Sequence, residues 1–131
     1  MWMWTLNWNE IRPDLVVGSC PMTPADLKRL RSKARITALL SLQHQECLDH
    51  HSIDYPSHER QGQRLQLTLV RSPMRDFDDE DQRRCLPDAV RALHTLLRNG
   101  HRVYIHCTAG INRSPLVILA YLNFVEGQPH S

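Results

Sequence analysis

Apolar and polar positions change rhythm along the chain, and each change predicts an element. Between Trp8 and Val17, apolar residues flank the turn pair Pro13-Asp14, so the segment reads as two short strands. Gly18-Ser19-Cys20-Pro21 breaks the second strand. Thr23-Pro24-Ala25-Asp26 is a helix start: Thr23 as N-cap, Pro24 in the first position, Asp26 three residues after the cap. The helix that follows carries Lys28, Arg29, Arg31 and Lys33, the pattern of a solvated face. The apolar run Ile36 to Leu42 reads as a buried strand. From Gln43 to Gln63 the chain is polar and His-rich without a clear period, and reads as a polar, partly disordered recognition loop. Leu65 to Val70 alternates and then turns apolar, predicting a strand; Arg71 to Asp81, with Pro73 and an acidic cluster, predicts a loop. Leu86, Val90, Leu93 and Leu97 recur at helical spacing, with Pro87 in the first turn and Gly100 as stop signal. Arg102 to Ile105 predicts a strand, a Gly-containing loop follows, and Pro115 to Val125 predicts an apolar helix. Strand and helix patterns alternate after the opening hairpin, so the fold class is α/β, with a mostly parallel central sheet flanked by helices.

Composition narrows the picture without changing it. A chain of 131 residues fits one domain, 1–131, and is long enough to bury a core without staples. The hydrophobic share of 41% and charged share of 23% are those of a soluble globular protein. The net charge of +2 is too small to predict a nucleic-acid partner, and no apolar run is long enough to span a membrane. The N-terminal residues lack the basic and apolar regions of a signal peptide. Cys20, Cys47, Cys85 and Cys107 form no CxxC pair, so reduced thiols, a cytoplasmic location and a monomer are the expectations. Cys47, His50 and His51, with His44 and His58 nearby in sequence, are the one candidate zinc set, and without a repeated pair they do not predict a metal site.

The stretch from Val103 to Pro115 carries the chemistry. It places Cys107 after a strand and before a helix N-terminus. Backbone N–H groups there have no intrahelical partners, and with the helix dipole they make an anion site of phosphate size. Gly110 lets the loop curl, and Arg113 offers a planar fork to two phosphate oxygens. The same positive surroundings are expected to hold the Cys107 thiol below the free value of about 8.5. A thiolate at the floor of such a cradle is what in-line phosphoryl transfer needs, with no metal or other cofactor. The alternative reading of Cys107 is a buried, inert thiol.

His106-Cys107-x5-Arg113-Ser114 resembles the signature loop of the protein tyrosine phosphatase superfamily. At roughly 5% usage per residue type, four further fixed positions around one Cys coincide by chance on the order of once in 10⁵. The resemblance implies that Cys107 attacks phosphorus and becomes a phosphocysteine. It implies that Arg113 binds the phosphoryl oxygens, that Ser114 assists sulfur as it leaves, and that His106 orients the loop. Thr108, Ala109, Gly110, Ile111 and Asn112 would supply the cradle. In the dual-specificity branch the general acid is an Asp some thirty residues before the cysteine, after a strand. Asp76 fits, with Asp78 as the alternative, while Asp79, Glu80 and Asp81 read as a solvated helix start.

Asn9 to Ser19 is similar to the first hairpin of dual-specificity phosphatases. Arg75-Asp76-Phe77-Asp78 and Cys107-Thr108-Ala109-Gly110 look like plant and laforin-type glucan phosphatases, which usually carry Gly where this chain has Asn112. The branch's fold continues with C-terminal helices that a chain ending at Ser131 would lack. The implied activity is that of a dual-specificity protein phosphatase, with a phosphoglucan phosphatase or a silent phosphate-binding module as alternatives. A phosphopeptide would be gripped by Arg71 and Arg75. A glucan would be gripped by Phe77 and the group Trp2, Trp4 and Trp8, which otherwise reads as cover for a core. An arsenate reductase or rhodanese-type enzyme is the remaining cysteine chemistry. The three thiols other than Cys107 are equal candidates for a protective disulfide with it.

Overall fold

The computed structural model describes residues 6–75, 78–108 and 113–126. Five strands, β1 (Trp8–Arg12), β2 (Leu15–Gly18), β3 (Ala38–Gln43), β4 (Thr68–Met74) and β5 (Val103–His106), form one sheet in the order β1-β2-β5-β3-β4. Among the described residues the β1–β2 hairpin is antiparallel, and β2–β5, β5–β3 and β3–β4 are parallel. The helices among the described residues are α1 (Pro24–Lys33), α2 (Gln45–His50), α3 (Tyr55–Leu65), α4 (Asp79–Arg98) and α5 (Arg113–Phe124).

The period of two in the strands sorts the core into two layers. Leu15 of β2, Leu40 and Leu42 of β3, and Val103 and Ile105 of β5 pack with Ala89, Leu93 and Leu96 of α4 and Val117 and Tyr121 of α5. On the other face Val16, Leu39 and Tyr104 pack with Leu27 and Leu30 of α1. Helices cover both faces, which is why β3 is buried along its whole length and is mostly apolar. Trp8 packs against the α1 side of the core, so it covers core surface; Trp2 and Trp4 lie outside the described residues.

The α1 start forms as its residues predict: Asp26 accepts from the backbone N–H of Met22 at 2.9 Å and of Thr23 at 3.3 Å. Lys28, Arg29 and Lys33 are exposed, a solvated face.

Three expectations are corrected. The polar stretch is not a loop but carries α2 and α3. The buried face of α3 is made by His58 and Gly62, which no hydrophobic pattern marks. A Cβ on Gly62 would stand 2.7 Å from Leu69, so glycine there lets α3 lie close on β4. The strand expected from Leu65 begins at Thr68: Leu65 closes α3, Gln66 adopts a left-handed φ of 59°, and the strand runs on to Met74. Finally, α4 starts at Asp79, well before Pro87, which lies inside the helix. Asp78 caps it by accepting from the Asp81 N–H at 2.9 Å, and acids fill the first turn, where the helix dipole favours them.

Candidate active site

Parallel strands deliver their C-terminal ends to one edge of the sheet, and the site lies there. Cys107 follows the last residue of β5 and is 2% exposed. Arg113 opens α5 and is 1% exposed, an expensive placement for a guanidinium unless its donors are used. Both Nη groups are used: Nη1 donates to the carbonyl of Met74 at 3.0 Å and of Leu42 at 3.5 Å, and lies 3.4 Å from the Cys47 sulfur. Nη2 donates to Thr108 Oγ1 at 3.1 Å. The ends of β3 and β4 thereby orient one edge of the fork, and Thr108, next to Cys107, meets the other.

His106 is buried on the opposite face of β5, 5.8 Å from the Tyr104 ring. Its Nδ1 lies 3.3 Å from the Cys107 carbonyl, which can only accept, so Nδ1 carries the proton. Burial pushes its pKa down to about 4, and the ring is neutral at physiological pH. Ser114 is fully buried in the first turn of α5, its hydroxyl without a hydrogen-bond partner among the described residues. Asp76 and the loop residues Ala109, Gly110, Ile111 and Asn112 lie outside the described residues, as does Phe77.

An open cleft of about 520 Å³ leads to this site, lined by Thr108, by His44, Glu46, Cys47, His50 and His51 of the α2 segment, and by Arg75 and Asp78. Arg75 and Asp78, which flank Asp76 and Phe77 in the sequence, both line the cleft. Arg75 pairs with Glu46 at 3.2 Å across it. Arg71 does not reach the cleft: it donates to the Gln43 carbonyl at 3.0 Å and sits 5.3 Å from the centre of the Tyr55 ring. The solvated reading holds for Asp79 and Glu80 but not for Asp81, which is buried and accepts from the Arg75 N–H at 2.8 Å. That bond, with the Arg84 guanidinium, holds the Asp81 carboxyl below the ordinary carboxylate range. No group of three or more His, Cys, Asp or Glu among the described residues is arranged to hold a metal ion.

Three residues support the site through contacts that the sequence does not announce. Gln43 is buried, its Nε2 3.4 Å from Thr108 Oγ1. Cys20 donates its backbone N–H to the Thr108 carbonyl at 3.1 Å, and burial pushes its thiol up to about 12. Cys47 reaches Arg113 from α2. Cys85 is apart from them on α4, where its sulfur lies 3.8 Å from Asp81. Contacts between segments remote in sequence leave no local pattern to read.

The family model described as dual specificity phosphatase, catalytic domain, matches residues 23–125. The chain is 40% identical over 124 residues to the phosphoglucan phosphatase DSP4, amyloplastic, of Castanea sativa, which aligns with 93% of this chain and 33% of its own length. It is 34% identical to the phosphoglucan phosphatase LSF1, chloroplastic, of Arabidopsis thaliana (92% of this chain, 20% of that one) and 30% identical to laforin of Mus musculus (93% and 40%). The chain thus spans well under half the length of these relatives. Among solved structures, kinase associated phosphatase shares the fold with a TM-score of 0.75 at 17% identity, covering 96% of this chain and 76% of that one. With the family match spanning most of the sequence, including β3 to α5 and the cysteine–arginine loop between β5 and α5, the chain belongs to the dual specificity phosphatase catalytic domain family.

Proposed function

We infer that the protein is a phosphomonoester hydrolase of the dual-specificity type, working through a phosphocysteine. The observation that carries this is Cys107 just after β5, with Arg113 in the first turn of α5 donating to Thr108, the residue next to Cys107 in the chain. In the first step the Cys107 thiolate attacks phosphorus; the S–P bond forms, the ester P–O bond breaks, and Asp76 gives its proton to the leaving oxygen. Water then attacks phosphorus, Asp76 takes back a proton, and the S–P bond breaks to release phosphate and the thiolate. Arg113 and the backbone donors of residues 108–113 stabilise the equatorial oxygens in both steps. Asp78 is less suited to the acid role, since one of its oxygens caps α4.

The charged cleft wall, with Glu46, Arg75, Asp78 and three histidines, supports a phosphoprotein substrate. A second reading, phosphoglucan, is favoured by relatives aligned over more than nine-tenths of the chain; dual specificity protein phosphatase 15 of Homo sapiens aligns with 47% of it. That similarity shifts the balance toward phosphoglucan. Phosphate release from solubilised phosphorylated amylopectin, set beside release from phosphotyrosine and phosphothreonine peptides, separates the two.

The reaction itself is tested with para-nitrophenyl phosphate and no added metal. Wild type turns over, and Cys107→Ser binds phosphate without turnover. Turnover that survives Cys107→Ser overturns the mechanism, and a wild-type protein that binds phosphate without hydrolysing any substrate is a silent binding module.

A further inference from the structure

We propose that Asp81 and Gln82 are positioning residues that fix the segment carrying the acid, an inference that rests on the assignment of Asp76 above. Strand β4 ends at Met74, so Arg75 is the last residue before Asp76. The peptide unit joining Met74 to Arg75 is held at both ends. Its carbonyl accepts from Arg113 Nη1 at 3.0 Å, and its N–H donates to Asp81 Oδ2 at 2.8 Å. The next unit, which joins Arg75 to Asp76, has its carbonyl held by Gln82 Nε2 at 3.0 Å. Two successive peptide planes leading into Asp76 are therefore fixed, one of them by the arginine assigned to the phosphoryl group.

The clamp is itself supported. The Asp81 N–H donates to Asp78, and its other carboxylate oxygen pairs with Arg84. Asp81 and Gln82 are 8% and 4% exposed. Burying a carboxylate and an amide costs free energy unless their polar ends are used, and Asp81 Oδ2 and Gln82 Nε2 are both spent on the backbone of Arg75. By contrast, the exposed pair between the Arg75 and Glu46 side chains adds little. A general acid must stand within hydrogen-bond reach of the leaving oxygen, and a misplacement of about 1 Å can cost on the order of 10² in rate. Helix α4 thus holds the backbone that leads into Asp76 beside the strand end that Arg113 grips.

The experiment compares phenyl phosphate, whose leaving group needs a proton, with para-nitrophenyl phosphate, whose leaving group needs it far less. Gln82→Met removes the donor at constant length, and Asp81→Ala removes the acceptor. Each is expected to lower kcat roughly tenfold or more on phenyl phosphate and much less on para-nitrophenyl phosphate. The alkaline fall of the rate should flatten, and tungstate affinity should stay unchanged. Asp81→Asn keeps an acceptor oxygen and is expected to restore most of the rate. On top of Asp76→Ala, neither variant should cost anything further. Equal losses on both substrates, or losses that add in full to that of Asp76→Ala, overturn the clamp. If Asp76→Ala itself leaves the dependence on leaving group unchanged, the acid assignment fails instead.

Discussion

Arg113 donates to the carbonyl of Met74 at 3.0 Å, so the arginine beside the nucleophile loop is fastened to the strand that leads to Asp76. One buried guanidinium thereby serves the cradle and the strand behind it. Lysine offers a point charge and no planar fork, and it cannot make both sets of contacts. Arg113→Lys is expected to lower kcat/KM for para-nitrophenyl phosphate by roughly 10²–10³. It should also weaken tungstate binding, measured by calorimetry. Near wild-type values for both would remove Arg113 from the phosphate site.

Acid is expected to destabilise the fold before carboxylates titrate. His106 is held neutral by burial, with a pKa near 4 against about 6.5 in an unfolded chain. His58 is shifted down for the same reason. Between those values the unfolded chain binds more protons than the folded one, so stability falls as pH falls from about 6.5 toward 4. For His106 the loss is on the order of 3 kcal/mol. Thermal unfolding midpoints measured across that window should drop for wild type and drop less for His106→Asn. A flat wild-type profile contradicts the burial argument.

Gly18 is required by packing. A Cβ there would stand 2.2 Å from the Tyr104 hydroxyl and 2.5 Å from the Asn7 carbonyl. That hydroxyl donates to the Ser19 carbonyl at 2.5 Å, one residue before the Cys20 that braces Thr108. Gly18→Ala should cost about 1–3 kcal/mol by overpacking. Denaturant unfolding gives the value, and the activity of the variant at low temperature shows whether the strain reaches the site.

The thiols should label unequally. Cys20 is fully buried with its thiol pushed up to about 12, so it stays protonated at neutral pH. Iodoacetate at pH 7, followed by peptide mapping, is expected to modify Cys107 and spare Cys20. Bound phosphate should slow the reaction at Cys107. Faster labelling of Cys20 would mean that the β2–α1 junction opens in solution.

Much of the fold is legible in the sequence because local rules decide it. The turn pair Pro13-Asp14 makes the β1–β2 hairpin, Thr23 to Asp26 starts α1, and the apolar run from Ile36 marks β3. The spacing from His106 to Ser114 identifies the family, since strand, loop and helix start are consecutive in the chain. Tertiary structure decides the rest. Helix α3 hides because its buried face is His58 and Gly62, chosen to fit under β4 and not for hydrophobicity. Asp81 reads as one more charge in an acidic helix start, and becomes a buried acceptor because β4 ends beside it and presents the Arg75 N–H. Cys47, Gln43 and Cys20 gather around Thr108 and Arg113 because parallel strands bring their C-terminal ends to one edge. The sequence alone marked the candidate nucleophile and its loop; the packing of helices on that sheet decided which side chains brace them, because partners far apart in the chain meet only when the core has formed.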